Sequence, residues 1–162
     1  EAERGNLTLM LSKSATQTKK IAATLAKRIL KSGPHRKHAR VVALVGDLGA
    51  GKTTFVQGFA KALGIEHRMV SPTFLIFRIY ELVPERSRGA TFKVFYHVDA
   101  YRIHSPKELE VLNFKSILHS PFNIVLIEWA DKIKKILPKD TIWIQLEHTK
   151  SKNERRLTVI NG

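Results

Sequence analysis

The stretch VVALVGDLGAGKTT, residues 41–54, decides the fold of this chain of 162 residues. Val41–Val45 is a continuous apolar run, which is typical of a strand buried on both faces of a parallel sheet. Gly46–Thr53 matches the pattern G-x-x-x-x-G-K-[ST] in full, and Thr53–Leu63 predicts a helix that ends at Gly64. A buried strand, a glycine-rich loop and a helix in this order predict a phosphate-binding loop, or P-loop, in an α/β protein.

The loop has the chemistry to hold a nucleotide. Its glycines let the backbone wrap around phosphate groups without a Cβ in the way, and its N–H groups point inward beside the positive end of the helix. We predict that Lys52 reaches the β- and γ-phosphates, that the Thr53 hydroxyl binds Mg²⁺, and that Thr54 contacts the α-phosphate. The predicted nucleotide-binding residues of the loop are Asp47, Leu48, Gly49, Ala50, Gly51, Lys52, Thr53 and Thr54.

Hydrolysis of a bound nucleotide requires further groups, and three candidates lie near predicted strand ends. Asp99 follows the β-rich run Phe92–Val98, and Glu128 follows the apolar run Ile124–Ile127, which is the layout of a Mg²⁺ ligand. Thr73, which follows Ser71-Pro72, offers a hydroxyl that senses the γ-phosphate. From the residues alone, more ordinary roles stay open, because such carboxylates also cap helices and Ser-Pro is typical of a turn.

The remaining segments predict an α/β fold around the loop. One helix begins at Ser14, with Gln17 completing a capping box. Another begins after Ser105 as N-cap, with Pro106 at the first helical position and Glu108 completing its capping box. The other predicted strands are Leu7–Leu11, Phe74–Tyr80, Phe92–Val98, Asn123–Glu128, Thr141–Glu147 and Leu157–Ile160. Phe74–Tyr80 and Phe92–Val98 are predicted to form one hairpin across the tip Pro84–Gly89. Thr141–Glu147 and Leu157–Ile160 are predicted to form another. We expect a single P-loop NTPase-like domain over residues 1–162, with a mostly parallel central sheet, antiparallel hairpin additions and flanking helices.

Composition narrows the classes of protein. The chain has no cysteine, which excludes a disulfide framework and a thiolate metal site. We see no signal peptide and no apolar run near the roughly 20 residues that span a bilayer, so we expect a cytoplasmic protein without a membrane partner. The net charge of +14 is concentrated at the two ends, where residues 1–40 carry ten basic and two acidic residues and residues 132–162 carry eight and three. Basic flanks of this kind favour binding to the phosphate backbone of a nucleic acid or to an acidic protein surface.

Four motifs, GDLGAGKTT, SPTF, HVDAYR and IEWADK, follow one another in the chain. In this combination they resemble the TsaE (YjeE) family, bacterial P-loop ATPases needed to make threonylcarbamoyladenosine, a modified base in tRNA. The resemblance runs from about Leu7 to the end of the chain. It implies that ATP and Mg²⁺ are bound, that Lys52, Thr73 and Glu128 are catalytic, that Thr53, Asp99 and Glu128 surround the metal, and that Trp129 lies near the nucleotide.

The resemblance also implies partners. Family members act with the threonylcarbamoyl-transferase subunit TsaD and its inactive relative TsaB, and ATP hydrolysis resets the transferase between turnovers. The basic ends of this chain would then lie near tRNA within the complex.

Three other functions stay open from the residues alone. A small-molecule kinase uses the same loop with an arginine lid, for which Arg86 and Arg88 are candidates. A GTPase is disfavoured because the chain contains no Asn-Lys-x-Asp string. A non-catalytic nucleic-acid-binding module would explain the charge but would leave the loop unexplained.

Overall fold

A seven-stranded sheet forms the centre of the computed structural model, which describes residues 7–72, 76–83 and 91–161. The strands are β1 Leu7–Ser12, β2 Arg40–Val45, β3 Phe77–Glu81, β4 Val94–Asp99, β5 Asn123–Glu128, β6 Ile142–His148 and β7 Arg155–Asn161. They lie side by side in the order β1-β7-β6-β2-β5-β4-β3. The helices are α1 Ala15–Ser32, α2 Lys52–Ala62, α3 Lys107–Val111, α4 Phe114–His119 and a 3₁₀ helix, Ala130–Ile136.

The sheet is mixed, so the prediction of a mostly parallel sheet is wrong. The parallel pairings join β6, β2, β5 and β4, and they are matched in number by the antiparallel pairings β1–β7, β7–β6 and β4–β3. Both predicted hairpins are confirmed, and together with β1 they extend the sheet on both sides of the parallel strands. A short connection forces the next strand to run antiparallel, whereas a parallel strand needs a long crossover. The predicted hairpin tip Pro84–Gly89 lies outside the described residues.

The central strands are buried on both faces, as their apolar runs predict. In β2, Val42 and Leu44 face a core formed with α1 and α2, while Val41 and Ala43 face a second core formed with α3, α4 and the 3₁₀ helix. The sheet is therefore the middle of three layers, and the loop between β2 and α2 lies at its edge.

The packing of α1 against α2 fixes the helix that follows the loop. Ser14 caps α1 as predicted, because its Oγ accepts from the backbone N–H of Gln17 at 3.1 Å, and the Gln17 side chain accepts from the backbone N–H of Lys13 at 2.8 Å. A Cβ at Gly58 of α2 would lie 2.4 Å from the carbonyl oxygen of Lys19 in α1. The two helices approach so closely there that only glycine fits.

The short helices were predicted only in part. Glu108 accepts from the backbone N–H groups of His104 and Ser105, as the capping pattern predicts, although Pro106 stands at the N-cap instead of the first helical position. The helix α4 and the 3₁₀ helix were not predicted, because six or seven residues are too few to show a helical period. No helix in the described ranges combines the length and the apolar character needed to cross a membrane.

Candidate nucleotide-binding site

The register of the parallel strands brings the predicted loop and carboxylates together. In the parallel pairings, Leu44 of β2 lies opposite Glu128 of β5, and Asp99 of β4 lies opposite Glu128. The carboxyl ends of parallel strands meet at one edge of the sheet. The loop after β2 and the two carboxylates therefore share that edge, although they are distant in sequence.

The glycine-rich loop needs its first and last glycines for geometric reasons. Gly46 has φ 156°, and a Cβ there would lie 2.3 Å from the carbonyl oxygen of Leu146 on β6. Gly51, the N-cap of α2, has φ 101°, a left-handed conformation that side chains disfavour. These two residues let the backbone curve over the start of α2, whose first N–H groups have no partner within the helix.

The Lys52 side chain lies inside the loop. Its Nζ donates to the carbonyl oxygens of Gly46 at 2.5 Å and Asp47 at 2.8 Å, and lies 4.0 Å from the centre of the Trp129 ring. Only 5% of the residue is exposed. Burial lowers the pKa of Lys52 from its ordinary 10.5, while the carboxylates of Glu128, Asp47 and Asp99 oppose the shift. The ammonium is held by acceptors that an anionic ligand could replace.

Glu128 is buried and held on both of its oxygens. Oε1 accepts from the Thr53 hydroxyl at 3.2 Å, and Oε2 lies 2.7 Å from His97 Nε2. His97 is fully buried, and its Nδ1 has no hydrogen-bond partner among the described residues. Because an ionised carboxylate only accepts, His97 donates from Nε2 to Glu128. The histidine therefore fixes the direction in which Glu128 faces the loop.

Asp99 is also buried and oriented by neighbours. Its Oδ2 accepts from the Ser71 hydroxyl at 2.5 Å, and its Oδ1 accepts from the backbone N–H of Tyr101 at 2.9 Å. The sequence suggested only a turn at Ser71, so this contact to a predicted metal ligand was missed. Thr73, the predicted sensor two residues further on, lies outside the described residues.

One cavity of about 410 Å³ collects most of the predicted residues. Its lining comprises Leu48, Gly49, Gly51, Lys52, Thr53, Thr54, Ser71, Asp99, Tyr101, Glu128 and Trp129. The predicted residues Asp47 and Ala50 do not line it. Ala50 is fully buried, and Asp47 contacts Lys52 through its carbonyl oxygen. Tyr101, for which no role was predicted, packs on Trp129 with ring centres 5.0 Å apart.

A second hollow of about 250 Å³ continues from this cavity along the loop. The two share Gly49, Gly51 and Thr54, and the hollow extends to Thr18 of α1 and Arg155 of β7. The combined space runs from the carboxylates, past the start of α2, to the first turn of α1.

The hairpin of β6 and β7 contacts the loop, which the sequence did not indicate. His148 Nε2 lies 3.3 Å from the carbonyl oxygen of Leu48, and Arg155 Nη2 donates to that of Gly49 at 3.3 Å. Residues about a hundred positions apart meet here through the pairing of β6 with β2, and no local motif marks such contacts.

The family described as "Threonylcarbamoyl adenosine biosynthesis protein TsaE" matches residues 12–157, which include the loop and both carboxylates. The chain belongs to the TsaE family.

Its TsaE relatives cover much of the sequence. It is 33% identical to the tRNA threonylcarbamoyladenosine biosynthesis protein TsaE of Rickettsia felis over 95% of this chain and 80% of that protein. The TsaE protein of Bacillus subtilis is 37% identical over 75% of this chain and 70% of its own length, and that of Haemophilus influenzae is 34% identical over 70% and 66%.

A solved structure shares the fold. The crystal structure of YdiB from Bacillus subtilis superimposes with a TM-score of 0.72 over 99% of this chain and 88% of that chain, at 29% sequence identity. The sheet that positions the candidate site is therefore similar to one seen by crystallography.

Proposed function

We propose that this TsaE-family chain is a Mg²⁺-dependent ATPase with a P-loop NTPase-like fold, which hydrolyses ATP to ADP and phosphate. The observation that carries the proposal is the cavity in which Lys52 and Thr53 of the loop meet Asp99 and Glu128 from the ends of β4 and β5. A lysine, a hydroxyl and two buried carboxylates at a helix N-terminus suit a nucleoside triphosphate with a divalent cation.

The phosphate tail of ATP would lie in the loop. Lys52 would exchange its hydrogen bonds to the carbonyl oxygens of Gly46 and Asp47 for bonds to phosphate oxygens, which are stronger because both partners are charged. The nucleoside would extend along Gly49, Gly51 and Thr54 into the second hollow. Trp129, whose ring already lies against Lys52, would border the phosphate end.

The oxygen-bearing side chains of the cavity fit Mg²⁺. The Thr53 hydroxyl, Asp99 and Glu128 offer only oxygen atoms, the ligand type that Mg²⁺ prefers, and all three line the same cavity. When bound there, Mg²⁺ supplies positive charge that neutralises the phosphate oxygens. Thr53 and Asp99 would hold it, and the hydrogen bonds of Asp99 to Ser71 and to the Tyr101 backbone would orient that carboxylate.

Glu128 is the group best placed to orient the attacking water. The oxygen that faces Thr53 would accept a hydrogen bond from the water, which attacks the γ-phosphorus while the bond to the ADP oxygen breaks. His97 holds the other oxygen at 2.7 Å and so limits the rotation of the carboxylate. Thr73 is proposed to contact the γ-phosphate, as the family resemblance implies.

The family supports a proposal for the biological role of this chain. The relatives are named as tRNA threonylcarbamoyladenosine biosynthesis proteins. We infer that this chain acts in the cytoplasm with the transferase TsaD and its partner TsaB, and that hydrolysis resets the transferase. No observation on the described residues favours a small-molecule kinase, and its candidate lid residues Arg86 and Arg88 lie outside them.

Reconstitution tests this function. ATP turnover is measured for the chain alone and with purified TsaD and TsaB, without any phosphate acceptor. We expect a partner-dependent rise that Lys52→Ala abolishes and that Glu128→Gln lowers about 100-fold or more while Mg-ATP binding is retained. His67→Asn, at an exposed histidine, is the matched control. Wild-type-like turnover in Lys52→Ala, or phosphorylation of an added small molecule, would contradict the proposal.

A further inference from the structure

The hairpin of β6 and β7 packs directly against the glycines of the phosphate-binding loop. A Cβ built at Gly49 would lie 3.8 Å from Cε1 of His148, in van der Waals contact with the ring. A Cβ built at Gly51 would lie 3.8 Å from Cδ2 of Leu146 and 4.0 Å from Cγ of Arg155. The hairpin therefore borders the loop on one side, although the local motif contains no hairpin residue.

Two side chains of the hairpin hold backbone carbonyl groups of the loop. His148 Nε2 lies 3.3 Å from the carbonyl oxygen of Leu48, and because a carbonyl oxygen only accepts, Nε2 is the donor. Arg155 Nη2 donates to the carbonyl oxygen of Gly49 at 3.3 Å. The other terminal nitrogen of Arg155 donates to two carbonyl oxygens of the hairpin turn, at 2.8 Å each. The guanidinium group therefore joins the hairpin turn to the loop.

The loop itself makes a tight turn from Asp47 to Ala50. The backbone N–H of Ala50 donates to the carbonyl oxygen of Asp47 at 3.1 Å. Gly49 has φ 76° and Leu48 has a negative φ, which is the pattern of a type II turn. Types I and II differ by a flip of the peptide between the two central residues, and a glycine tolerates either orientation. The loop sequence does not fix this peptide by itself, whereas the hydrogen bond from His148 to its carbonyl oxygen does.

The held carbonyl groups also set the direction of the backbone N–H groups. In a trans peptide, the C=O and the following N–H point in opposite directions. Because the hairpin holds the carbonyl oxygens of Leu48 and Gly49, it directs the N–H groups of Gly49 and Ala50 away from itself. The Ala50 N–H accordingly donates to the Asp47 carbonyl oxygen, which also accepts from Lys52 Nζ inside the loop. Backbone N–H groups turned to this inner side are donors for phosphate oxygens.

We propose that His148 and Arg155 are positioning residues of the nucleotide site, which keep the Gly49 N–H turned toward the phosphate oxygens of bound ATP. The proposal rests on the proposed function, in which those phosphates lie in the loop. Without the two side-chain donors, the peptide between Leu48 and Gly49 is free to flip. Its carbonyl oxygen would then face the phosphates and repel them. The two residues touch the loop backbone and not the substrate, so they act on ATP affinity through the loop.

Calorimetry measures the Mg-ATP affinity of variants that remove one donor at a time. His148→Phe keeps a ring beside Gly49 without a donor, and His148→Gln keeps an N–H donor. Arg155→Met keeps an unbranched side chain beside Gly51. Arg156→Met is the matched control, because the adjacent arginine is exposed and lies on the opposite face of β7.

The two donor-free variants should bind Mg-ATP less tightly. We expect His148→Phe and Arg155→Met each to weaken the affinity about three- to tenfold, the effect of one hydrogen bond. His148→Gln and Arg156→Met should stay within about twofold of wild type. Melting temperatures should stay within about 2 °C of wild type, because surface substitutions change stability little. Wild-type affinity in both donor-free variants would overturn the proposal.

Nuclear magnetic resonance tests the turn without nucleotide. In a chain labelled with ¹⁵N-glycine, the couplings between the amide proton and the two Hα protons of Gly49 report its φ. They should correspond to φ near 76° in wild type and in Arg156→Met, and should change in the double variant His148→Phe, Arg155→Met. Unchanged couplings in the double variant would also overturn the proposal. A wild-type chain that binds no Mg-ATP would overturn the proposed function, whereas the couplings judge the hold of the hairpin on the turn separately.

Discussion

The buried pair of His97 and Glu128 gives a prediction that does not depend on nucleotide or partner. In His97→Leu, the carboxylate oxygen Oε2 of Glu128 loses the donor that lies 2.7 Å away. Glu128 is only 2% exposed, so water cannot replace the donor without opening the structure. The variant should therefore be less stable even though leucine adds apolar side-chain atoms to the site.

The size of the effect follows from the burial. Removing the hydrogen-bond donor of a buried carboxylate costs about 3 kcal/mol, since the carboxylate loses a hydrogen bond but stays out of water. For a domain of this size, each kcal/mol lowers the melting temperature by about 2–4 °C. We expect His97→Leu to melt about 6–12 °C below wild type.

Thermal unfolding followed by circular dichroism measures this difference. His97→Gln retains an N–H donor and should recover about half of the loss or more. His67→Leu, at an exposed histidine, should melt within about 1 °C of wild type, because surface substitutions change stability little. The reasoning is refuted if His97→Leu melts like the His67 control. It is equally refuted if Glu128→Leu restores none of the stability of His97→Leu in the double variant.

Three further predictions concern the loop and the helices around it. Burial lowers the pKa of Lys52 below its ordinary 10.5, and phosphate binding favours the charged ammonium. Mg-ATP affinity should therefore fall as pH rises through the lowered pKa. Calorimetry from pH 7 upward should show this decline in wild type and none in Lys52→Ala. Gly58→Ala should destabilise the fold by about 1–3 kcal/mol in urea titrations, opposite to the stabilisation that helix propensity alone predicts, because its Cβ would overlap Lys19. Nucleotide should change the fluorescence of Trp129, so the signal should persist in Trp143→Phe and vanish in Trp129→Phe; the reverse pattern would place the nucleotide elsewhere.

The parts of the fold that local pattern controls were predictable from the sequence. The strand at Val41–Val45, the helix after the loop and both hairpins each combine a period with a turn or cap within a short stretch. The proportion of parallel pairing was not predictable, because no local signal states that β1 adds to β7. Short helices such as Phe114–His119 were missed for lack of a full helical period.

The candidate site also has a part that the sequence predicts and a part that it does not. The loop residues form a local motif, and Asp99 and Glu128 mark strand ends, so their approach at one sheet edge follows from parallel order. Ser71, which bonds Asp99, and Arg155, which reaches the loop, contribute only through tertiary contacts. Their positions depend on strand register and on the path of the crossover connections, and no local sequence pattern indicates either.

Titration calorimetry of the folded chain with ATP and Mg²⁺ tests the central claim most directly. The account predicts saturable binding at one site, which weakens at least tenfold in Lys52→Ala because the ammonium that meets the phosphates is gone. The account would be contradicted if the wild-type chain showed no heat of Mg-ATP binding. It would also be contradicted if Lys52→Ala bound Mg-ATP with wild-type affinity.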